Sequence, residues 1–268
     1  MDLATIIGLV LCGGLMILGI VSGDDGVAAL SNFIDGQSAL ITIGGAVGAT
    51  MISNKMSDVV TGLKGFTQAI KSKSYNQAEI IKKIIELSNV ARKEGLLALE
   101  DAAAELDDPF MKKGILLIVD GTEPDLVRAI LETELSCVEA RHKKVQAFWD
   151  TLAAMGPAWG MIGTLIGLIN MLKHLEDVST VGPNMSVALI TTMYGSMLAN
   201  WIGIPVANKL RCNNTIEITV KEVVIEGLLS IQAGENPRVI EEKLKSFLAP
   251  KERAAYGDGE EAGGGETA

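Results

Sequence analysis

The sequence predicts an all-α polytopic membrane protein with four transmembrane helices and a helical cytoplasmic domain. Three observations support this prediction: four long stretches lack any charged residue, the mean hydropathy is +0.32, and only 4% of the residues are aromatic. A soluble domain of 268 residues rarely combines positive hydropathy with so few aromatic side chains to fill its core. Abundant Leu, Ile, Val, Gly and Ala are typical of helices packed closely in lipid.

The four charge-free stretches define the predicted membrane spans. Each is at least as long as the roughly 18 apolar residues that indicate a transmembrane helix. The last stretch, 178–208, is longer than a bilayer requires, and Pro183 lies near its start. The first stretch is interpreted as a retained helix rather than a cleaved signal peptide, because only Asp2 contributes charge before it and no basic residue does. We therefore place the transmembrane helices at about 3–22, 36–54, 151–172 and 184–207.

The basic residues predict the orientation in the membrane. Segment 55–150 holds 14 Lys and Arg residues and segment 209–268 holds 8, whereas the loop after the third span has only Lys173 and loop 22–35 has none. Cytoplasmic segments carry the excess of Lys and Arg in membrane proteins. Both termini and segment 55–150 are therefore expected on the cytoplasmic side of the membrane.

Helical periodicity continues from the last two spans into the cytoplasmic segments. Apolar residues recur at steps of three and four from Val127 to Trp149, and again from Ile216 to Ile231. We therefore expect the third and fourth spans to extend as long helices beyond the membrane.

The remaining cytoplasmic sequence is expected to form shorter helices, with breaks at Gly95 and Pro109. The end of the chain is rich in glycine and acidic residues, a composition that favours disorder. The predicted organisation is 1–54 for the first two spans, 55–150 for a cytoplasmic helical domain, 151–208 for the last two spans, 209–249 for a helical extension and 250–268 for an acidic tail.

The predicted spans contain no Asp, Glu, Lys, Arg or His. Ion-coupled proteins usually keep an ionisable group inside the membrane. The chain is therefore expected to conduct no ions alone, and either it is a scaffold or a partner helix supplies the carboxylate. No disulfide framework, metal site or cofactor is expected, because the three cysteines and two histidines are isolated along the sequence. We find no nucleophile–base constellation or nucleotide loop, so an enzyme is not predicted.

Small residues and hydroxyls are the notable features of the last two spans. The predicted small faces consist of Gly160, Gly163, Thr164 and Gly167 in the third span and of Ala188, Thr192, Gly195, Ala199 and Gly203 in the fourth. Such faces let helix backbones approach closely, and their hydroxyls can bond across helices. Pro157 and Pro205 lie near the cytoplasmic ends of these spans, where each permits a kink.

Two stretches resemble a known family. MGPAWGMIGTLIGLINML and VGPNMSVALITTMYGSMLANWIGIPVANKL resemble the last two spans of the MotA/PomA flagellar motor stator proteins, in the MotA/TolQ/ExbB superfamily. The resemblance covers nearly the whole chain. It implies a pentameric ring of this chain around two copies of a single-span MotB or PomB partner, which carries the membrane aspartate and a peptidoglycan-binding domain. It further implies that Na⁺ or H⁺ passes between ring and partner, and that the ring turns the rotor protein FliG.

The resemblance also assigns residue roles. It implies that Thr164 and Thr192 provide hydroxyls to the ion path, and it brings in Thr191, whose side chain points about 100° away from that of Thr192 on a helix. Pro157 and Pro205 match the two prolines linked to torque generation.

The same resemblance implies a rotor-binding set. Arg92 and Glu100 have the spacing of the family's rotor-facing charged pair, and Lys93 adjoins it. Eight residues are about two helical turns, so both charges would share a face if the helix continued through Gly95.

Two other readings stay open at this point. One is a TolQ- or ExbB-like ion-driven energiser of another cell-envelope process, although those proteins have three spans with the large loop after the first. The other is a membrane scaffold without ion flow. If the chain is a stator subunit, the sequences GMIGTLIGL and ALITTMYG resemble those of the sodium-type branch of the family. This resemblance favours Na⁺ as the transported ion and leaves H⁺ as the alternative.

Overall fold

The computed structural model describes residues 3–71 and 76–250, together with Arg253 and Tyr256. Throughout these residues the regular elements are helices and no strand occurs. The chain divides into two compact units, the first formed by residues 1–73 and 141–213 and the second by residues 74–140 and 214–268. The all-α prediction is thus confirmed, because every described segment of regular structure is helical.

Eleven α-helices occur in the described part of the chain. In order they are α1 (Leu3–Val21), α2 (Gly36–Ala39), α3 (Gly45–Ser53), α4 (Met56–Ile70), α5 (Gln77–Glu94), α6 (Leu99–Ala104), α7 (Pro109–Val119), α8 (Pro124–Lys173), α9 (Val178–Met197), α10 (Ile204–Gln232) and α11 (Pro237–Lys245). Short 3₁₀ segments cover Gly26–Phe33 and Leu96–Ala98. Two π-helical turns, Leu40–Gly44 and Leu198–Gly203, join α2 to α3 and α9 to α10 without a break in helical structure.

Three helical segments in the described residues are long and apolar enough to cross a membrane: Leu3–Val21, Pro124–Lys173 and Val178–Gln232. The predicted span 36–54 is helical from Gly36 to Ser53, with the π-helical turn in its middle. The count of four membrane spans therefore stays a prediction.

The starts and breaks of the helices have local causes. The Asp177 carboxylate accepts a hydrogen bond from the Ser179 N–H at 3.0 Å and so begins α9 at Val178, six residues before the predicted start of the span. Asp108 caps α7 in the same way, at 3.0 Å from the Phe110 N–H. Gly95 ends α5 with φ 89°, a backbone conformation that favours glycine.

The core of the first unit forms where α4 crosses α8. A Cβ added at Gly62 would lie 2.4 Å from the Phe148 ring, and one added at Gly65 would lie 2.5 Å from Val145. The Trp149 indole N–H donates to the Gly62 carbonyl at 2.9 Å. The two glycines therefore let α4 approach the aromatic side chains of α8 directly.

The second unit has its own apolar core, built from one face each of α5, α7, α8, α10 and α11. Its fully buried side chains include Ile84, Phe110, Leu131, Leu228 and Leu244. Most of the predicted acidic tail, 250–268, lies outside the described residues. Within that range Tyr256 is described, and it is only 5% exposed and belongs to this core.

Candidate ion-conducting helix pair

The centre of the first unit is the antiparallel pair formed by α8 and α9. A Cβ added at Gly195 would lie 2.5 Å from the Gly156 carbonyl oxygen, and one added at Gly167 would lie 2.7 Å from that of Asn184. These distances are shorter than any ordinary Cβ contact, so no other residue type fits there without displacing backbone. The glycines therefore bring the two helix backbones into direct contact, as the sequence predicts.

Thr191 is the hydroxyl residue inside this contact. Its side chain is fully buried, and a Cβ added at Gly163 would lie 2.5 Å from the Thr191 Cβ. The Thr191 hydroxyl donates within its own helix, at 2.9 Å from the Val187 carbonyl and 3.0 Å from that of Ala188. Its carbonyl in turn accepts a hydrogen bond from the Thr42 hydroxyl at 3.3 Å. Thr191 thus anchors the segment α2–α3 against α9.

The predicted small face of the fourth span is wrong at one position. Thr192 is exposed, and Thr191 takes the place that the sequence assigned to it. The buried small residues are Ala188, Thr191, Gly195, Ala199 and Gly203. The reason is helical rotation, since neighbouring side chains on a helix differ by about 100° and only one of them faces α8.

Thr164 and Thr192 both donate their hydroxyl hydrogens within their own helices. The half-buried Thr164 donates its hydroxyl hydrogen to the Met161 carbonyl at 2.6 Å, and the exposed Thr192 donates to the Ala188 carbonyl at 3.2 Å. A hydroxyl has one donor and two acceptor lone pairs. Because the hydrogen is committed to the helix backbone, each oxygen is left as an acceptor or a cation ligand on the surface of the chain.

The two prolines lie in different local structures. Pro157 is inside α8, which continues through it, and it follows Gly156 at the closest contact with α9. Pro205 is the second residue of α10 and follows the π-helical turn directly. Proline has no N–H and its ring crowds the carbonyl four residues earlier. A wider turn relieves that crowding, and π-helical turns inside α-helices are frequent at functional sites.

The π-helical turn between α9 and α10 was not predicted, although the spacing of the small residues around it indicates such a turn. Thr191, Gly195, Ala199 and Gly203 are all buried and are separated by three steps of four. On a regular α-helix each step of four residues rotates the side chain about 40° beyond a full turn, so three steps rotate it roughly 120° and spread the four residues around the helix. A π-helical turn accommodates one extra residue, which reduces this rotation by about 100° and brings the four residues back to one face. A small-residue stripe with a period of four therefore indicates the turn.

The predicted rotor-binding residues lie on two helices. Arg92 and Lys93 are in the last turn of α5 and Glu100 is in the first turn of α6, and all three are exposed. The condition for Arg92 and Glu100 to share one helix face is not met, because α5 ends at Glu94 and the predicted break at Gly95 occurs. The positions still suit the charges: cations are favoured at a helix C-terminus and anions at an N-terminus.

Tyr194 has a structural role that was not predicted from the sequence. Its hydroxyl donates to the Phe33 carbonyl at 2.7 Å and accepts a hydrogen bond from the Asp35 N–H at 3.1 Å. Tyr194 thereby fixes the chain between the 3₁₀ segment and α2 to the last turn of α9. No local pattern identifies it, because its partners lie about 160 residues earlier in the sequence.

These elements define a class of protein: a helical membrane protein whose predicted spans carry hydroxyl oxygens and no Asp, Glu, Lys, Arg or His. Two family profiles match the chain, "Motility protein A N-terminal" over residues 6–95 and "MotA/TolQ/ExbB proton channel family" over residues 102–223.

Individual relatives match over nearly their whole length. Motility protein A of Borreliella burgdorferi is 43% identical over 95% of this chain and 96% of its own. Chemotaxis protein PomA of Vibrio alginolyticus is 37% identical over 95% and 98%. The structure of the flagellar MotAB stator complex from Bacillus subtilis contains a chain that is 32% identical and aligns with a TM-score of 0.86, over 94% of this chain and 98% of that one. The chain therefore belongs to the MotA/PomA family of stator ion-channel subunits, which are not enzymes.

Proposed function

We propose that this chain is the ring-forming subunit of a bacterial flagellar motor stator. In this role it couples cation flow across the inner membrane to torque on the rotor. The observation that carries the proposal is the α8–α9 pair, which presents two hydroxyl oxygens, of Thr164 and Thr192, within predicted spans that contain no Asp, Glu, Lys, Arg or His. The full-length similarity to motility protein A and to MotAB stator chains supports it.

The missing acid implies a partner. A single-span MotB- or PomB-like subunit with a peptidoglycan-binding domain would supply the membrane aspartate, and five copies of this chain would surround two copies of it. An aspartate beside Thr164 and Thr192 would complete a site in which carboxylate and hydroxyl oxygens replace water around a cation. Neutralising that carboxylate changes the charge at the partner helix, which is the event that would move ring against partner.

The described elements suggest how each group contributes. Thr191 holds α9 against α8 from inside the protein, so that Thr192 faces outward at a fixed height. Pro157 and the π-helical turn before Pro205 provide two places where the helices could bend. Arg92, Lys93 and Glu100 are exposed and would contact a FliG-like rotor protein.

We propose Na⁺ as the transported ion. Sodium requires several oxygen ligands, whereas a proton needs only a carboxylate and a water path. Two hydroxyls whose hydrogens are committed to the helix backbone add ligands for Na⁺ and no proton acceptor of useful pKa.

The proposal is tested by swimming speed in a host that lacks its own stators and expresses this chain with its partner. Sodium is varied at fixed pH, with potassium as the balancing ion. Speed is expected to rise with sodium, and Thr164→Ala is expected to raise the sodium concentration needed for half-maximal speed about threefold to tenfold, because it removes one ligand.

Thr133→Ala is the control, because the Thr133 hydroxyl also donates within its own helix, to the Ala129 carbonyl at 2.7 Å, but lies outside the predicted spans. It should leave the sodium dependence unchanged. If the swimming speed does not depend on the sodium concentration and is abolished by a protonophore, the transported ion is the proton instead. No motility from a membrane-inserted chain with its partner argues against the stator role.

A further inference from the structure

An apolar groove opens between α1, α4 and α10 in the first unit. Its volume is about 450 Å³, within the range of ligand-binding pockets. The lining residues discussed below are Ala4 and Gly8 on α1, Phe66 on α4, and Trp201, Pro205 and Lys209 on the helical segment that leads into and through α10.

Trp201 keeps α1 away from α10 and so creates the groove. Its indole N–H donates to the Leu9 carbonyl at 3.3 Å, and a Cβ added at Gly13 would lie 2.6 Å from its ring. Towards its N-terminus, α1 lines the space beyond the indole with Ala4, Thr5 and Gly8, none of which has a long side chain. A Cβ added at Gly8 meets no atom within 4 Å, so this space is empty in the isolated chain.

The lining of the groove is mainly apolar and contains one charged residue. Its walls include Phe66 and side chains of Leu, Ile and Val, together with the uncharged polar residues Thr5, Asn200 and Asn208, and Lys209 is the single charged residue among the described residues that line it. Lys209 lies two residues beyond the end of the predicted span 184–207. A lysine at the end of a spanning helix extends its stem along apolar surface and keeps its ammonium at the lipid head groups.

We propose that this groove binds one acyl chain of an anionic phospholipid, with the lipid phosphate at the Lys209 ammonium. The apolar walls match a hydrocarbon chain and the single cation matches the head group. With the predicted orientation, the lysine lies in the cytoplasmic leaflet, where anionic lipids attract basic residues. The inference depends on membrane insertion in that orientation but not on stator function. Because Pro205 also lines the groove, the bound chain touches the helix next to the π-helical turn.

The test uses the full-length chain, purified in neutral detergent with its partner. It is incubated with phosphatidylglycerol that carries a photoreactive diazirine in its acyl chain, irradiated, digested and mapped by mass spectrometry. The label is expected on the groove-lining peptides of α1 and α10. A tenfold excess of unlabelled phosphatidylglycerol should compete with it, and the same excess of phosphatidylcholine should compete several times less.

Two variants examine the two halves of the proposal. Gly8→Leu fills the empty space and is expected to lower groove labelling about tenfold, whereas Gly19→Leu on the same helix, which also meets no atom within 4 Å, should leave it unchanged. Lys209→Gln is expected to lower labelling by phosphatidylglycerol about fivefold and to remove the preference over phosphatidylcholine. Lys64→Gln is its control, because Lys64 is exposed on α4 and does not line the groove.

Each result decides the proposal. Labelling that is spread evenly over the lipid-facing residues of α1 and α8 and is unaffected by Gly8→Leu would show that the label comes only from lipid surrounding the protein. This result would overturn the proposal. The absence of label in the groove would show that a neighbouring copy or the partner occupies it, which also overturns it. Equal competition by both lipids would overturn the assignment of the phosphate to Lys209. Retained elution volume for Gly8→Leu, together with the result for Gly19→Leu, separates loss of binding from misfolding.

Discussion

The choice between neighbouring threonines decides the role of each side chain in the α8–α9 pair. Thr191 is buried against Gly163 and Thr192 is exposed, although both hydroxyls bond to carbonyls of the preceding turn. A change of one position along the helix therefore separates a packing residue from a candidate ligand. The pair of helices depends equally on glycines that no larger residue can replace.

Gly195→Ala is expected to destabilise the first unit. The added Cβ would lie 2.5 Å from the Gly156 carbonyl oxygen, which is backbone and cannot move aside alone. Overpacking of this kind costs about 1–3 kcal/mol. The measurement is the midpoint of thermal unfolding in detergent, together with the amount of protein in the membrane.

Gly48→Ala is the matched control for Gly195→Ala. It lies in α3, in a helix of the same unit, and its added Cβ meets no atom within 4 Å. It should unfold at the temperature of the unmodified chain. Equal stability of Gly195→Ala would contradict the direct backbone contact between α8 and α9.

At the scale of elements, short breaks between helices place the charged residues of the second unit. Gly95 separates α5 from α6, so that Arg92 and Glu100 project from adjacent helix ends rather than from one continuous face. Elsewhere in this unit, Glu226 of α10 pairs with Lys243 of α11 and with Arg128 of α8, the latter at 3.2 Å. These ion pairs join α10 to its neighbour α11 and to α8, which is far away in the sequence.

Charge reversal at Arg92 and Glu100 is expected to impair motility. Arg92→Glu combined with Glu100→Arg should reduce swimming strongly without lowering the amount of protein in the membrane, because both side chains are exposed. Swimming assays and membrane fractionation measure the two effects.

Lys83→Glu is the control for the charge reversal, since Lys83 is another exposed lysine on α5. It should swim normally. If the double variant also swims normally, Arg92 and Glu100 do not contact the rotor.

The ion pairs of Glu226 predict a dependence of stability on pH. The hydrogen bond from Lys243, with contributions from its charge and from Arg128, holds the pKa of Glu226 below its ordinary value of 4.5 despite partial burial. A carboxyl with a lower pKa in the folded state stabilises the fold above about pH 4.5, and this contribution is lost as the pH falls. Partly exposed pairs contribute up to about 1 kcal/mol.

Glu226→Gln should therefore speed amide hydrogen exchange in α10 and α11 at pH 7. After correction for intrinsic rates, its difference from the unmodified chain should shrink as the pH falls below 4.5. Glu132→Gln is the control, because its pair with Arg128 is longer, at 3.6 Å, and its side chain is 55% exposed. A difference that is constant with pH would contradict the assigned ion pairs.

At the scale of the whole molecule, the stretches of sequence without charged residues predicted long apolar helices. Three such helices occur in the described residues. This level of organisation was predictable because hydropathy and charge depend only on composition along the chain. The close helix contact was also predictable from the glycine spacing.

Other features depend on geometry that local sequence does not express. The face of a helix that is buried changes within one residue, and this explains the exchange of Thr191 for Thr192. The hydrogen bonds of Tyr194 join positions about 160 residues apart. The break at Gly95 was predicted, but the relative directions of Arg92 and Glu100 across it were not, because a spacing of eight residues fixes a shared face only within one helix.

We expect the isolated chain to conduct no ions. The predicted spans hold no side chain that could relay a proton, and two hydroxyls alone do not neutralise a cation in lipid. The full-length chain is reconstituted in liposomes, and Na⁺ and H⁺ flux is measured with and without its partner. Selective flux without the partner would contradict a site shared between the two proteins.

The tryptophans give the first unit a spectroscopic signal of its own. The chain has three, and Trp149 at the Gly62 carbonyl, Trp159 against Gly45 and Trp201 against Gly13 all belong to that unit. Intrinsic tryptophan emission therefore reports on the membrane helices and α4 and does not register unfolding of the second unit. A melt followed by tryptophan emission and one followed by far-ultraviolet circular dichroism would differ wherever the two units unfold separately. The emission of Trp201 would also respond to an acyl chain in the groove beside it.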